Sequence, residues 1–434
     1  MLEDNLIYLL FVAMLLITVI NILILELDFM QPSVLFNSTM TTSMFFAVLN
    51  VEKYGLFVGE YTFWVVVLGM IFIALGNYYV YCNSGMIIKD DEITNGVEKY
   101  KYIKISIISL VMLALLYFSF KEIYDLSIKL GNTSGISNMI KTVRYPLERE
   151  EISFSRWNSY RGLVSQVIAY VSLYYFIEKM FFRKIREYIY LLPVILYIPF
   201  TILSTGRLSM LCFLIYVLVL FSVFYLKQKR YTLKAKLNIV YCLAGTALLF
   251  VTLFLSYGFF TGKVVSMTRT PFVILSHYAG LSIPALDVYL RMPIIEDSLI
   301  GSNTLSGIYG NLRTLGFDIP KVDIFLPFVK FNALTTNVYT AFRRYVSDYG
   351  VLGMCCILFV FGGLFSLVYE KIKSGRSKIL LILYASYAWT LIMSFHDEKF
   401  LMGIVNTSLI YRVVILYLVI KFFEYGNYKQ SKQE

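Results

Sequence analysis

Eleven stretches of mainly apolar residues, each long enough to span a bilayer, recur along this chain, and they limit its fold more than any other feature. A helix needs about 20 such residues to cross the hydrocarbon of a membrane. In lipid every backbone polar group must be satisfied internally, which leaves helices or closed barrels. The runs lie near 6–25, 34–51, 61–81, 103–120, 162–180, 188–204, 208–226, 237–257, 346–369, 379–395 and 404–422. Composition agrees: 58% of the 434 residues are hydrophobic and only 15% charged, against about 25% charged in a soluble domain. The expected fold is an all-α polytopic integral membrane protein with about eleven transmembrane helices, within a range of ten to twelve. A disordered chain, a disulfide scaffold and an ordinary soluble enzyme are excluded. The five cysteines all lie in or beside apolar runs without a CxxC pair, so they read as small packing residues.

Residues 1–5 carry no positive charge and no A-x-A site follows the first run. That run is therefore expected to persist as a helix and not to be removed as a signal. The formal charge is +11, and short runs of basic residues recur in the connectors 82–102, 179–187, 227–236 and 370–378 and in the tail. With eleven spans all of these fall on one side, the cytoplasmic one by the positive-inside rule. The N-terminus is then outside and the C-terminus cytoplasmic. The chain divides into helices one to eight (1–257, with an outer loop near 121–161), a large extracytoplasmic loop (258–345), and helices nine to eleven with a short tail (346–434). A loop as long as 258–345 is usually functional. Its prolines, Pro271, Pro284, Pro293, Pro320 and Pro327, predict short helices, and its apolar piece 272–290 predicts an interfacial or re-entrant segment. In the second run, Asn37, Ser38, Thr39, Thr41, Thr42 and Ser43 predict a helix facing the interior. Pro193 and Pro199 predict a kink or break in the sixth.

Chemistry is expected in the outer loops. The first carries Lys121, Lys129, Lys141, Arg144, Arg149, Arg156 and Arg161; the second carries Lys263, Arg269, Arg291, Arg313, Lys321, Lys330, Arg343 and Arg344. Each basic residue has two readings, a solvated surface charge with local ion pairs or a ligand for phosphate, which the planar arginine fork grips bidentately. Arg207, in STGRLSM between two spans, reads as a phosphate clamp or as a snorkelling interfacial arginine. His277 is a candidate general base. His396 is a further candidate or a polar turn residue. Asp348, beside Arg343 and Arg344, would neutralise an arginine or orient an acceptor hydroxyl. Gly350 and Gly353 would allow close helix packing. Arg412, inside the last run, is a candidate by its position, or it pairs with Asp397 or Glu398. The 36 tyrosines and 35 phenylalanines read mainly as interfacial belts. No metal site and no cofactor is expected.

Four features together resemble the bacterial oligosaccharide repeat unit polymerases, the Wzy type that builds O-antigen, capsule and other exopolysaccharides. They are DFMQPSVLFN (28–37), STGRLSML (204–211), the long outer loop with His277, and NVYTAFRRYVSDYGVLG (337–353). The resemblance implies a metal-independent glycosyltransferase on the outer face of a bacterial cytoplasmic membrane. It would join repeat units carried on undecaprenyl diphosphate, with the lipid diphosphate as leaving group. The implied partners are those lipid-linked oligosaccharides, the bilayer, and a flippase and chain-length regulator of the same pathway, without nucleic acid. The implied diphosphate ligands are Arg207, then Arg343 and Arg344; Arg269 and Arg291 join them on chemistry alone. His277 is the first candidate base and Asp348 the second, with His396, Asp397 and Arg412 as further candidates. Two alternatives stay open: an O-antigen-ligase-like transferase, and a lipid-linked oligosaccharide flippase or transporter.

Overall fold

The computed structural model describes residues 6–84, 96–98, 100–149, 151–260, 271–292, 299–320, 325–332, 334–375 and 377–429. In chain order these form α1 (Leu6–Ile24), α2 (Pro32–Val48), α3 (Val51–Tyr54), α4 (Glu60–Asn83), β1 (Gly96–Glu98), α5 (Lys101–Lys129), α6 (Ile136–Glu148), α7 (Arg156–Glu178), α8 (Leu191–Leu203) and α9 (Leu208–Gln228). There follow α10 (Leu233–Phe260), α11 (Pro271–Gly280), α12 (Ser282–Leu290), α13 (Ser306–Thr314), β2 (Val329–Lys330), β3 (Thr335–Thr336), α14 (Ala341–Ser374), α15 (Lys378–Ile392), α16 (Leu401–Ile404), α17 (Thr407–Glu424) and β4 (Asn427–Lys429). Strands β1 and β4 pair antiparallel, as do β2 and β3. Each of the apolar runs overlaps a helix. Among the described residues seven helices are long and apolar enough to cross a membrane: α1, α4, α5, α9, α10, α14, and α15 with the turn that follows it. The chain is an all-α, multi-pass membrane protein.

Two compact units interleave along the sequence. The first comprises Met1–Lys89, Leu233–Val240 and Thr268–Leu409; the second comprises Asp90–Thr232, Tyr241–Met267 and Ile410–Glu434. From Thr268 onward, the large expected outer loop belongs with the helices of the first unit.

In the first unit α4 and α14 form the most extensive helix pair. Glycine explains it. Gly76 lies against the Phe359 carbonyl and Gly362 against the Ile73 carbonyl, so closely that a methyl group at either would overlap backbone. Without a hydrophobic force between helices in lipid, such small-residue contact is what draws backbones together. Replacing Gly76 by Ala must push the helices apart, at a cost of about 1–3 kcal/mol as for other overpacked sites. The purified variant should melt measurably below the parent in a thermal-shift assay, and an unchanged midpoint would contradict this account.

Helix α2 starts at Pro32, which suits a first helical position because its missing N–H has no intrahelical partner to lose. As its polar residues predict, it is an interior helix. Thr41 meets Thr18 of α1 at 2.8 Å. Asn21 donates to Ser33 at 3.0 Å, and the Ser33 N–H donates to Asn77 of α4 at 3.1 Å. Ser43 donates to the Ala279 carbonyl at 2.5 Å and lies 3.0 Å from Ser282. Gly280 abuts the Phe46–Ala47 backbone. The apolar piece 272–290 is thus packed onto α2 as α11 and α12, with Leu281–Asp287 buried. Just before α2, Gln31 donates to Glu370 at 2.7 Å, and Lys373 lies 3.1 Å from Glu370 and 3.6 Å from Asp28. These buried groups tie the α1–α2 turn to the end of α14.

The helix break falls on glycine and not on proline. Gly350 interrupts α14 at φ 67°, ψ −178°, a region open to residues without Cβ. Gly353 makes room for the Tyr349 side chain. The close-packing role expected of this pair belongs instead to Gly76 and Gly362. Helix α8 by contrast is continuous through Pro193 and Pro199.

The second unit is built from α5, α7, α8 and α9. Tyr170 and Tyr216 stack at 3.8 Å, and the Tyr216 hydroxyl donates to the Tyr170 carbonyl at 2.7 Å. Amphipathic α6 folds onto α5 through Ile123, Met139, Val143 and Leu203. Glu122 accepts from the Ser155 N–H and hydroxyl at 2.8 Å each and pairs with Arg161. That arginine of the first outer loop is therefore a local ion-pair residue.

Candidate functional site

Arg343 and Arg344 lie in the first turn of α14. Consecutive helical side chains diverge by about 100°, since 3.6 residues make a turn, and the two arginines meet different surroundings. Arg344 is buried and pairs with Asp397, Nε to Oδ1 at 2.7 Å and Nη2 to Oδ2 at 3.2 Å. Lys399 adds 2.8 Å to the same carboxylate. Burial alone would raise the Asp397 pKa; Lys399 and Arg344 outweigh it and hold it down at about 2. Its neighbour Glu398 is fully buried. It accepts from the Tyr345 hydroxyl at 2.9 Å and from the Leu401 and Met402 N–H groups at 2.6 and 3.0 Å, closing the start of α16. Burial pushes the Glu398 carboxyl above its ordinary value. Asp397 and Glu398 thus brace the first turns of α14 through Arg344 and Tyr345.

Arg343 has a different environment. Its guanidinium sits 4.3 Å from the Tyr289 ring centre and 4.5 Å from that of Tyr339, and the two rings meet edge to face at 6.4 Å. Cation–π attraction to each face holds the group in place without neutralising it. Among the described residues no carboxylate pairs with Arg343, and its buried Nε has no hydrogen-bond partner. The result is a fixed cation with no direct carboxylate partner among the described residues, on which Asp397 acts from a distance, an arrangement suited to an anion.

Asp348, one turn further on, is taken up by the loop before α13. Its Oδ1 accepts from the Asn303 N–H and side chain at 3.2 and 2.8 Å, and its Oδ2 from the Thr304 N–H and hydroxyl at 2.8 and 2.7 Å. Of its two expected roles, neutralising an arginine is not what is seen: its partners are the backbone and side chains of Asn303 and Thr304, a loop that Asp348 anchors beside the Gly350 break.

His277, on α11, has its Nε2 2.8 Å from the Thr335 carbonyl. A carbonyl only accepts, so Nε2 carries the proton and the neutral ring has its lone pair on Nδ1. Thr335 belongs to the β2–β3 hairpin, whose turn lines an open cavity of about 770 Å³ in the first unit. Arg291 lies at this cavity, 2.8 Å from Asp287 Oδ2 and 4.2 Å above the Phe57 ring. His396 occupies the turn after α15, where its N–H donates to the Met393 carbonyl at 2.8 Å.

The remaining candidates fall elsewhere. Arg207 is in the second unit, at the start of α9, with its Nε and Nη2 buried. The positive φ of its turn belongs to Thr205, at 58°, and not to Gly206. Arg412 is also in the second unit, where its charge acts on Tyr170, Tyr197 and Cys212. Arg269 lies outside the described residues. Among the described residues no three His, Cys, Asp or Glu side chains converge as metal ligands.

Residues that sequence reasoning passed over hold the site together: Asp287, Tyr289, Tyr339 and Tyr345. One signal was available, the four-residue spacing of Asp287 and Arg291 along a helix. The aromatic partners of Arg343 are separated from each other in sequence by fifty residues and carry no local pattern. The chain matches no family model, no curated protein and no solved structure.

Proposed function

We infer that this chain is a membrane glycosyltransferase of the repeat-unit polymerase kind, working on undecaprenyl-diphosphate-linked oligosaccharides at the outer face of a bacterial cytoplasmic membrane. The observation that carries the reading is Arg343, a guanidinium fixed between two aromatic faces with no carboxylate paired to it among the described residues. In glycosyl transfer from a lipid diphosphate, negative charge grows on the departing diphosphate. A positioned cation stabilises that charge more in the transition state than in the ground state. His277, oriented by the contact of its Nε2 with the Thr335 carbonyl, serves as the base that takes the proton of the attacking sugar hydroxyl. Asp348 and the Arg344–Asp397 pair position the arginine-bearing turn. In this reading eleven helices cross the bilayer, with the N-terminus outside and the C-terminus cytoplasmic.

The test is a gel profile of surface glycan from cells with and without the chain. Loss of the long ladder with single repeat units remaining supports polymerisation. Long polymer retained on its lipid carrier would mean a ligase, and units trapped on the cytoplasmic face would mean a flippase. Arg207→Ala is expected to shorten the ladder while the protein still inserts at normal level; full-length polymer would remove Arg207 from the diphosphate set.

A further inference from the structure

The open cavity beside the β2–β3 hairpin has a chemistry of its own. One wall is the end of α12, with Asp287 and Arg291; another is the stretch Tyr54–Phe57; the third is the hairpin turn, with Lys330, Phe331 and Asn332. Its volume of about 770 Å³ falls within the usual range of small-molecule sites, about 300–1,000 Å³, and has room for a short oligosaccharide.

Three features define what fits. First, Arg291 is pre-set. Its guanidinium lies on the Phe57 face and is braced by Asp287, whose Oδ1 is in turn fixed by the Gly59 N–H at 2.6 Å and the Thr62 hydroxyl at 2.7 Å. A Cβ at residue 59 would come within 3.1 Å of Arg291 Nη2, so glycine is what lets this pair sit against the chain. Second, the charges do not cancel. Among the described lining residues Arg291 and Lys330 are the cations and Asp287 the one anion, and Lys330 forms no ion pair with a described residue. Third, the walls alternate flat apolar rings with polar groups, and Tyr54 has a buried hydroxyl with no hydrogen-bond partner among the described residues. Sugar rings present the complementary surface: apolar C–H faces rimmed by hydroxyls.

We propose that this cavity binds an acidic saccharide, a sugar unit carrying a carboxylate, separately from the diphosphate grip at Arg343. Its place in polymerisation rests on the function inferred above; its ligand chemistry does not. A single carboxylate matches the one net positive charge of the described lining residues. A diphosphate brings at least two negative charges to a wall that already holds the Asp287 carboxylate, so it fits less well.

The experiment uses the full chain in nanodiscs of neutral phosphatidylcholine, with ligand binding followed by saturation-transfer NMR. The probes are disaccharides ending in glucuronic, galacturonic or mannuronic acid, the neutral disaccharide cellobiose, and methylenediphosphonate as competitor. At least one uronic disaccharide should bind about tenfold or more tightly than cellobiose. Lys330→Ala and Phe57→Ala should each weaken it about tenfold, Lys330→Arg should retain it, and methylenediphosphonate should not displace it. Equal binding of charged and neutral probes overturns the proposal. So does failure of all three uronic probes, or displacement by methylenediphosphonate together with loss of binding in Arg343→Ala. Uronate binding in a chain whose deletion leaves the glycan ladder intact would sink the polymerase reading and spare this one. A ladder that depends on the chain, with no uronate binding, would do the reverse.

Discussion

Cells carrying Arg343→Ala should lose the long glycan ladder, with the rate of chain extension in membranes falling about 10²–10³-fold, the usual effect of deleting one fixed donor to a developing anion. The Lys variant is the sharper test. Lysine keeps the charge but not the planar face that lies against Tyr289 and Tyr339. It is also a strongly hydrated point charge, where guanidinium is a weakly hydrated fork. Arg343→Lys should therefore stay close to the Ala variant, while Tyr289→Phe, which keeps the ring, should extend chains near the parental rate. Parental activity in Arg343→Ala at normal expression would remove the observation on which the proposed function stands.

Asp397→Ala should act on stability first. It strands Arg344 in a buried site, and breaking a buried pair by removing one partner costs about 3–5 kcal/mol. The variant should accumulate poorly and melt well below the parent in detergent. The double variant Arg344→Met with Asp397→Leu should recover most of that loss, since replacing a buried pair by apolar groups is often close to neutral. Failure of the double variant to recover would mean that Arg344 does more than pair. The pH dependence has a definite sign. Asp397 titrates at about 2 in the folded chain against an ordinary value of 3.8. Its contribution is thus fully present above about pH 4 and is lost as the pH falls toward 2. Acid unfolding followed by tryptophan fluorescence should show the parent losing stability over that interval and the double variant losing less of it.

The helices were legible because hydropathy along a chain responds directly to lipid, and the interior position of α2 was legible because six polar side chains within it need partners. The pairings were less so. Arg344 lies 53 residues from Asp397, and nothing local to RRYVSD says that Arg344, and not Arg343, would pair with a carboxylate, or which one. Asp348 found its donors in Asn303 and Thr304, 45 and 44 residues back. The prolines of α8 promised a break that did not come: Pro193 sits in the first turn, where no hydrogen bond is lost, and Pro199 is tolerated within the helix. The actual break, at Gly350, was hidden because the same glycine equally suits close helix packing. Local spacing reports periodicity and caps; which of two adjacent arginines is neutralised depends on contacts that only the folded chain brings together.

Helix α2 also sets an order of assembly. Its first polar partners, Thr18 and Asn21, are made just before it. The later ones arrive much further along the chain: Ser282 is 239 residues beyond Ser43, and Glu370 is 339 residues beyond Gln31. At about 5–20 residues per second, a ribosome needs tens of seconds to cover that interval. Throughout it the α1–α2 hairpin is held by its own Thr18–Thr41 and Asn21–Ser33 bonds, while Ser43 and the Gln31 amide N–H still await the partners that lock it to the rest of the first unit.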